Sequence, residues 1–126
     1  MSKNQKNQII KINPTDIEIT DFSILLQKYQ DSNNFQYMSG SYLSALCNKS
    51  NDNEITIYTK HLERLINFIG YENKKILKIN GDVGTNIGWK MEGGEIHLNN
   101  PGAYLGWDMI SGEIHENNAG DWIGWG

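Results

Sequence analysis

Residues 86–126 read NIGWKMEGGEIHLNNPGAYLGWDMISGEIHENNAGDWIGWG, and this stretch decides the fold. Ile-Gly-Trp, Leu-Gly-Trp and Ile-Gly-Trp recur in it. Extended backwards, Gly70, Gly88, Gly106 and Gly124 fall 18 residues apart. The residue before each is Ile69, Ile87, Leu105 or Ile123, and the residue after is Tyr71, Trp89, Trp107 or Trp125. Gly84, Gly102 and Gly120 keep the same period, with Ile66 in the first copy. So do the pairs Met91 and Met109, Ile96 and Ile114, and His97 and His115.

A fixed period of this size signals stacked units. Eighteen residues are too few for two helices and a turn, but at about 3.3 Å per residue they span roughly 60 Å, enough for one coil of a β-solenoid. Neighbouring coils then pair as parallel strands, like side chains stack in columns, glycines mark corners by accepting positive φ, and Asn ladders line turns. The alternative is a series of β-hairpins with Gly-rich turns, which would tolerate irregular spacing. A left-handed hexapeptide helix also has 18 residues per coil but needs an aliphatic residue every six. The six-step positions from Ile87 are Gly93, Asn99 and Leu105, so that pattern fails.

Met91, Gly93, Gly94, Ile96, Asn100, Gly102 and Gly106 resemble the unit of the Gly-x-Gly-x-Gly (GXGXG) repeat domain. Met109, Gly112, Ile114, Asn118, Gly120 and Gly124 repeat the match, and Leu77 to Gly88, LKINGDVGTNIG, carries the full glycine set. That domain closes the glutamate synthase large polypeptide and also occurs in formylmethanofuran dehydrogenase. The resemblance covers about residues 53–126. It implies a right-handed parallel β-helix, here of about four coils, that buttresses an oxidoreductase complex and holds none of its catalytic groups. HLNNPG and HENNAG are one residue short of the usual unit. A one-residue loss flips strand parity, which leaves open which side chains face inward there. Glu116 shares a column with Leu98, and since an inward carboxylate is costly, that column is expected to face solvent.

Residues 1–52 read as a mainly helical N-terminal cap and 53–126 as the repeats. Phe22, Leu25, Leu26 and Tyr29 are spaced as one helical face, with Thr20 or Asp21 as its cap. Met38, Tyr42, Ala45 and Leu46 offer a second, shorter helix. Residues 54–58, EITIY, alternate as a strand. HLERLINFIG fits a helix by its leucines, yet Ile69-Gly70-Tyr71 is in register with the repeat; a degenerate first coil is the favoured reading. The helices would cover one end of the solenoid. The other end stops at GDWIGWG without a polar coil. This points to a truncated chain, or to a surface completed by a protein partner or a second copy.

Net charge is −4, and from Gly81 onward Lys90 is the one base against seven acids, so nucleic acid is not expected. The N-terminus holds no apolar run long enough for a signal sequence, and no segment is long enough to span a membrane. With a single cysteine, Cys47, there is no internal disulfide. A cytoplasmic protein is expected.

One constellation of chemical groups stands out. Glu95 and His97 share a strand face, as do Glu113 and His115, and stacking would bring the imidazoles within about 5 Å. Two imidazoles and two carboxylates could hold zinc or a similar ion; equally, they could be a solvated polar strip. Trp89, Trp107 and Trp125 form an aromatic column, with Tyr104 and Trp122 in another, which could bind sugar or simply stack at corners. His61 reads as lone and exposed. GDVGTNIG lacks the lysine of a nucleotide loop. No catalytic residue and no cofactor are expected.

Overall fold

The computed structural model describes residues 13–116. Gly120, Trp122, Gly124 and Trp125 lie outside them. Two helices, α1 (Asp16–Leu25) and α2 (Phe35–Lys49), precede four strands: β1 (Glu54–Tyr58), β2 (Ile76–Asn80), β3 (Glu95–Leu98) and β4 (Glu113–Glu116). The strands pair in parallel in the order β1-β2-β3-β4. The described residues form a β-solenoid of about three turns plus two helices, where about four coils were expected; Gly124, the fourth glycine of the series, lies outside them. Hairpins would have made the neighbouring strands antiparallel.

Register pairs Glu54 with Ile76, Ile76 with Glu95, and Glu95 with Glu113. The strands therefore depart from the constant period of 18, while the corners keep it: Gly88 N–H donates to Ile69 O and Gly106 N–H to Ile87 O, both at 2.8 Å. In the first coil the extra length is taken up around residues 60–65, where Gln30 Oε1 accepts from Glu63 N–H and Arg64 N–H. HLERLINFIG thus forms the first coil, not a helix, with Ile66 and Ile69 fully buried. In the second coil one residue is gained at Gly93–Gly94 and given back near Asn99. This settles parity: Ile96 and Leu98 point inward, while Glu95 and His97 point outward.

The interior is built from columns. Ile55, Leu77, Ile96 and Ile114 stack in one; Ile69, Ile87 and Leu105, all fully buried, stack at the corner. Leu98 is 5% exposed, so its column faces the core, contrary to expectation. Glu116 stands opposite it in β4 and is half-buried.

Glycine explains only part of the corner. Gly70, Gly88 and Gly106 are left-handed, but so are Phe68, Asn86 and Tyr104 two residues before and Glu72, Lys90 and Asp108 two residues after. Four of these non-glycine residues, Phe68, Glu72, Asn86 and Lys90, are held there by hydrogen bonds to the next coil, such as Glu72 N–H to Trp89 O and Lys90 N–H to Trp107 O, both 2.9 Å. Gly84 and Gly102 are not left-handed. A Cβ at Gly102 would come within 2.9 Å of the Gly84 carbonyl oxygen, so coil-to-coil spacing requires glycine there.

The first helix begins earlier than the apolar spacing implies. Thr15 caps it, in a reciprocal capping box with Glu18. Ile19, Ser23 and Leu26 face inward, whereas Leu25 and Tyr29 are exposed. Its decisive face is polar. Thr56 N–H donates to Asp16 Oδ1 (2.9 Å), Thr20 Oγ1 donates to Thr56 O (2.6 Å), and Tyr58 N–H donates to Ser23 Oγ (3.1 Å). Side chains at i, i+4 and i+7 thereby take the place of a preceding strand and close the β1 edge. The second helix is longer than expected and buries Phe35, Leu43, Leu46 and Cys47; Met38, Tyr42 and Ala45 are exposed. Among the described residues no helix is long and apolar enough to cross a membrane.

Candidate functional site

The outward face of β2–β4 carries two parallel columns. Lys78, His97 and His115 form one, and Ile76, Glu95 and Glu113 the other. Parallel in-register pairing puts identical residues directly above one another, so the imidazoles of His97 and His115 stack with centroids 4.7 Å apart and planes 7° apart. Each ring is also held within its own strand: His97 Nε2 to Glu95 Oε1 is 2.8 Å and His115 Nε2 to Glu113 Oε1 is 2.9 Å. Side chains at i and i+2 share a face, which is why the same pairing recurs in both strands.

The structure brings together three of the four residues named from the sequence. One ligand atom from each of Glu95, His97 and His115 lies within 4.8 Å of the others. Glu113, the fourth, is engaged by His115. The His97 pair is about 40% exposed and the His115 pair 50–68%, so these side chains can turn without disturbing the core. Lys78, next in the column, has its amine turned to Glu54 Oε2 at 3.0 Å. The two imidazoles also wall an open cleft of about 830 Å³ shared with Lys78, Asn80, Asn99 and Glu116. Lys78 escapes a sequence reading because it pairs with His97 at a separation of 19 residues, not 18.

The other singled-out groups lie elsewhere on the fold. Trp89 and Trp107 are on successive coils, with both rings half-buried. The Trp89 ring packs on Phe68 (5.8 Å, 49°) while Tyr104 meets Trp107 edge-on (5.3 Å). His61 is neither lone nor exposed: its ring nitrogen sits 3.0 Å from Ser23 O. Asp82 accepts from Asn100 Nδ2 at 2.8 Å; the Asn ladder expected at the turns pairs Asn99 and Asn100 with Asn117 and Asn118, which lie outside the described residues.

Cys47, 1% exposed on α2, supplies no nucleophile. Burial pushes its thiol up to about 12, against the pull of Lys75 and with a small push from Asp16. A thiol reagent at neutral pH is expected to leave the folded chain unmodified and to label it fully once denatured. Labelling of the folded chain at the rate of a free thiol would contradict this packing.

Comparison with known protein families, with curated proteins and with solved structures finds no match; the likeness to the Gly-x-Gly-x-Gly repeat domain rests on the residues quoted above.

Proposed function

We propose that this chain is a non-catalytic assembly module: a right-handed solenoid that docks a protein partner or a second copy of itself, in the manner of the repeat domain that buttresses redox enzyme complexes. The handedness follows the strong preference of parallel β crossovers. The observation that carries the reading is the unequal treatment of the two edges of the sheet. Asp16, Thr20 and Ser23 occupy the backbone groups of β1, whereas β4 is paired on one side among the described residues. An edge strand offers a row of backbone donors and acceptors to an incoming chain. Glu116, inward and half-buried, selects a partner that brings a cation or hydrogen-bond donor to that position.

Hydrogen exchange of the chain alone and in its native assembly tests this. The Ile114 and Glu116 amides are expected to exchange readily in the isolated chain and slowly in the assembly, while Ile96 is protected in both. Sedimentation over a wide concentration range separates self-association from a distinct partner. Full protection of Ile114 in a monomer, or a native chain that travels alone, would sink the proposal.

A further inference from the structure

We infer that the outward ladder of β3 and β4 is a binding site for a borderline transition-metal ion such as Zn²⁺, with His97 and His115 as nitrogen ligands and Glu95 as the oxygen ligand. This site is independent of the assembly role and does not require it.

The backbone fixes the starting geometry. Parallel register sets His97 and His115 directly opposite each other, and both Nε2 atoms turn toward the glutamate side of the face, as their bonds to Glu95 and Glu113 require. Nitrogen lone pairs on two coils therefore converge on the same side of the ladder as a carboxylate. The three ligand atoms already lie within 4.8 Å of one another. Zinc bound at about 2.0–2.1 Å in a tetrahedron wants its ligand atoms about 3.3 Å apart. The remaining approach needs side-chain rotation alone, and at half-exposed positions on a rigid strand pair this is a small change. The ion would break the flat stack of the rings and exchange the Glu95–His97 hydrogen bond for two coordinate bonds.

Charge agrees. The glutamate column brings negative charge from Glu95 and Glu113, and the cation next in the ladder, Lys78, is engaged by Glu54. Two imidazoles with one carboxylate are a donor set that favours zinc, copper or nickel over the all-oxygen preference of magnesium and calcium. A fourth position is left for water, Glu113 or a donor from outside the chain, so the site resembles an open metal centre more than a closed structural one.

The test uses the full, untagged chain. Zn²⁺ is expected to raise its melting temperature while Mg²⁺ at the same concentration does not. Co²⁺ in place of zinc is expected to give visible absorption bands of a nitrogen–oxygen site. His97→Gln or His115→Gln should each weaken zinc binding by about tenfold or more, and the double variant should lose both the melting shift and the cobalt spectrum. Far-UV circular dichroism confirms that the variants fold, as their exposure leads one to expect. No zinc-dependent shift in the parent chain, an equal shift with Mg²⁺, or an undiminished shift in the double variant would each overturn the site.

Discussion

Gly40→Ala is expected to lower the unfolding free energy by about 3 kcal/mol, near the top of the usual range for overpacking. Helix propensity predicts the opposite sign, because alanine in a helix interior is better than glycine by about 1 kcal/mol. Position 40 is decided by contact. A Cβ there would fall on the Asn67 carbonyl oxygen and lie 3.2 Å from Ile66 Cγ2. That carbonyl has nowhere to retreat. Asn67 N–H donates to Gln36 O at 2.9 Å, Asn67 Oδ1 accepts from Thr85 N–H at 2.8 Å, and Phe68 N–H donates to Thr85 O at 3.0 Å. The first coil is pinned to the helix on one side and to the second coil on the other, so α2 itself must lift away. Urea unfolding followed by circular dichroism measures the effect. Gly93→Ala is the matched control: nothing lies within 4 Å of a Cβ there, and little change is expected. A Gly40→Ala chain as stable as its parent would mean that α2 does not seat on the first coil.

The repeat is legible because a solenoid writes its geometry into the sequence as a period. Ile87, Gly88 and Trp89 recur as Leu105, Gly106 and Trp107 because each coil must meet the same neighbours as the last. The His97–His115 stack follows from the same logic, since in-register pairing turns an 18-residue recurrence directly into contact. The left-handed backbone of Phe68, Asn86 and Tyr104 is not legible. Nothing in Phe, Asn and Tyr as a set signals that conformation, which at Phe68 and Asn86 is held by hydrogen bonds to the next coil. The interior orientation of the Glu116 column escapes the sequence because Leu98 and Glu116 give opposite signals, and burial of the leucine prevails over the local cost of one carboxylate at the end of the stack.

The cap hides its working face for a different reason. Apolar spacing draws attention to Leu25 and Tyr29, but a helix that replaces a strand must meet backbone donors and acceptors, so its working face is Asp16, Thr20 and Ser23. The signals are present in the sequence. Thr15 followed by Glu18 is a capping-box pair, and small polar residues at i, i+4 and i+7 mark a stripe that a purely hydrophobic count passes over. Metal preference in the His–Glu ladder, by contrast, has no sequence signature, because the pairing of residues two apart on one strand serves a solvated strip and an ion site equally well.

Ser44→Ala should cost about 3 kcal/mol, an effect far larger than one exposed hydrogen bond would give. The Ser44 hydroxyl accepts from Gly70 N–H at 2.9 Å and from Tyr71 N–H at 3.1 Å, and lies 2.7 Å from Gly40 O and 2.9 Å from Phe68 O. It stands where the backbone of an earlier coil would stand, and it serves the corner at which Phe68 and Gly70 are both left-handed. Gly70 is buried, so water cannot take over its N–H once the hydroxyl is gone, and an orphaned buried donor carries its full desolvation cost. The corner cannot relax to find another acceptor, because Gly88 N–H holds Ile69 O and Trp89 O holds Glu72 N–H on either side. Alanine's better helix propensity offsets only about half a kcal/mol. Hydrogen exchange separates this account from a general loosening: the Gly70 and Tyr71 amides should lose protection selectively, while the Ile96 amide, held in β3, keeps its protection up to global unfolding. Because Gly40 and Ser44 meet the same corner, the two substitutions together should destabilise by less than the sum of each alone. Strict additivity would show that helix and corner are coupled more weakly than the shared contacts require.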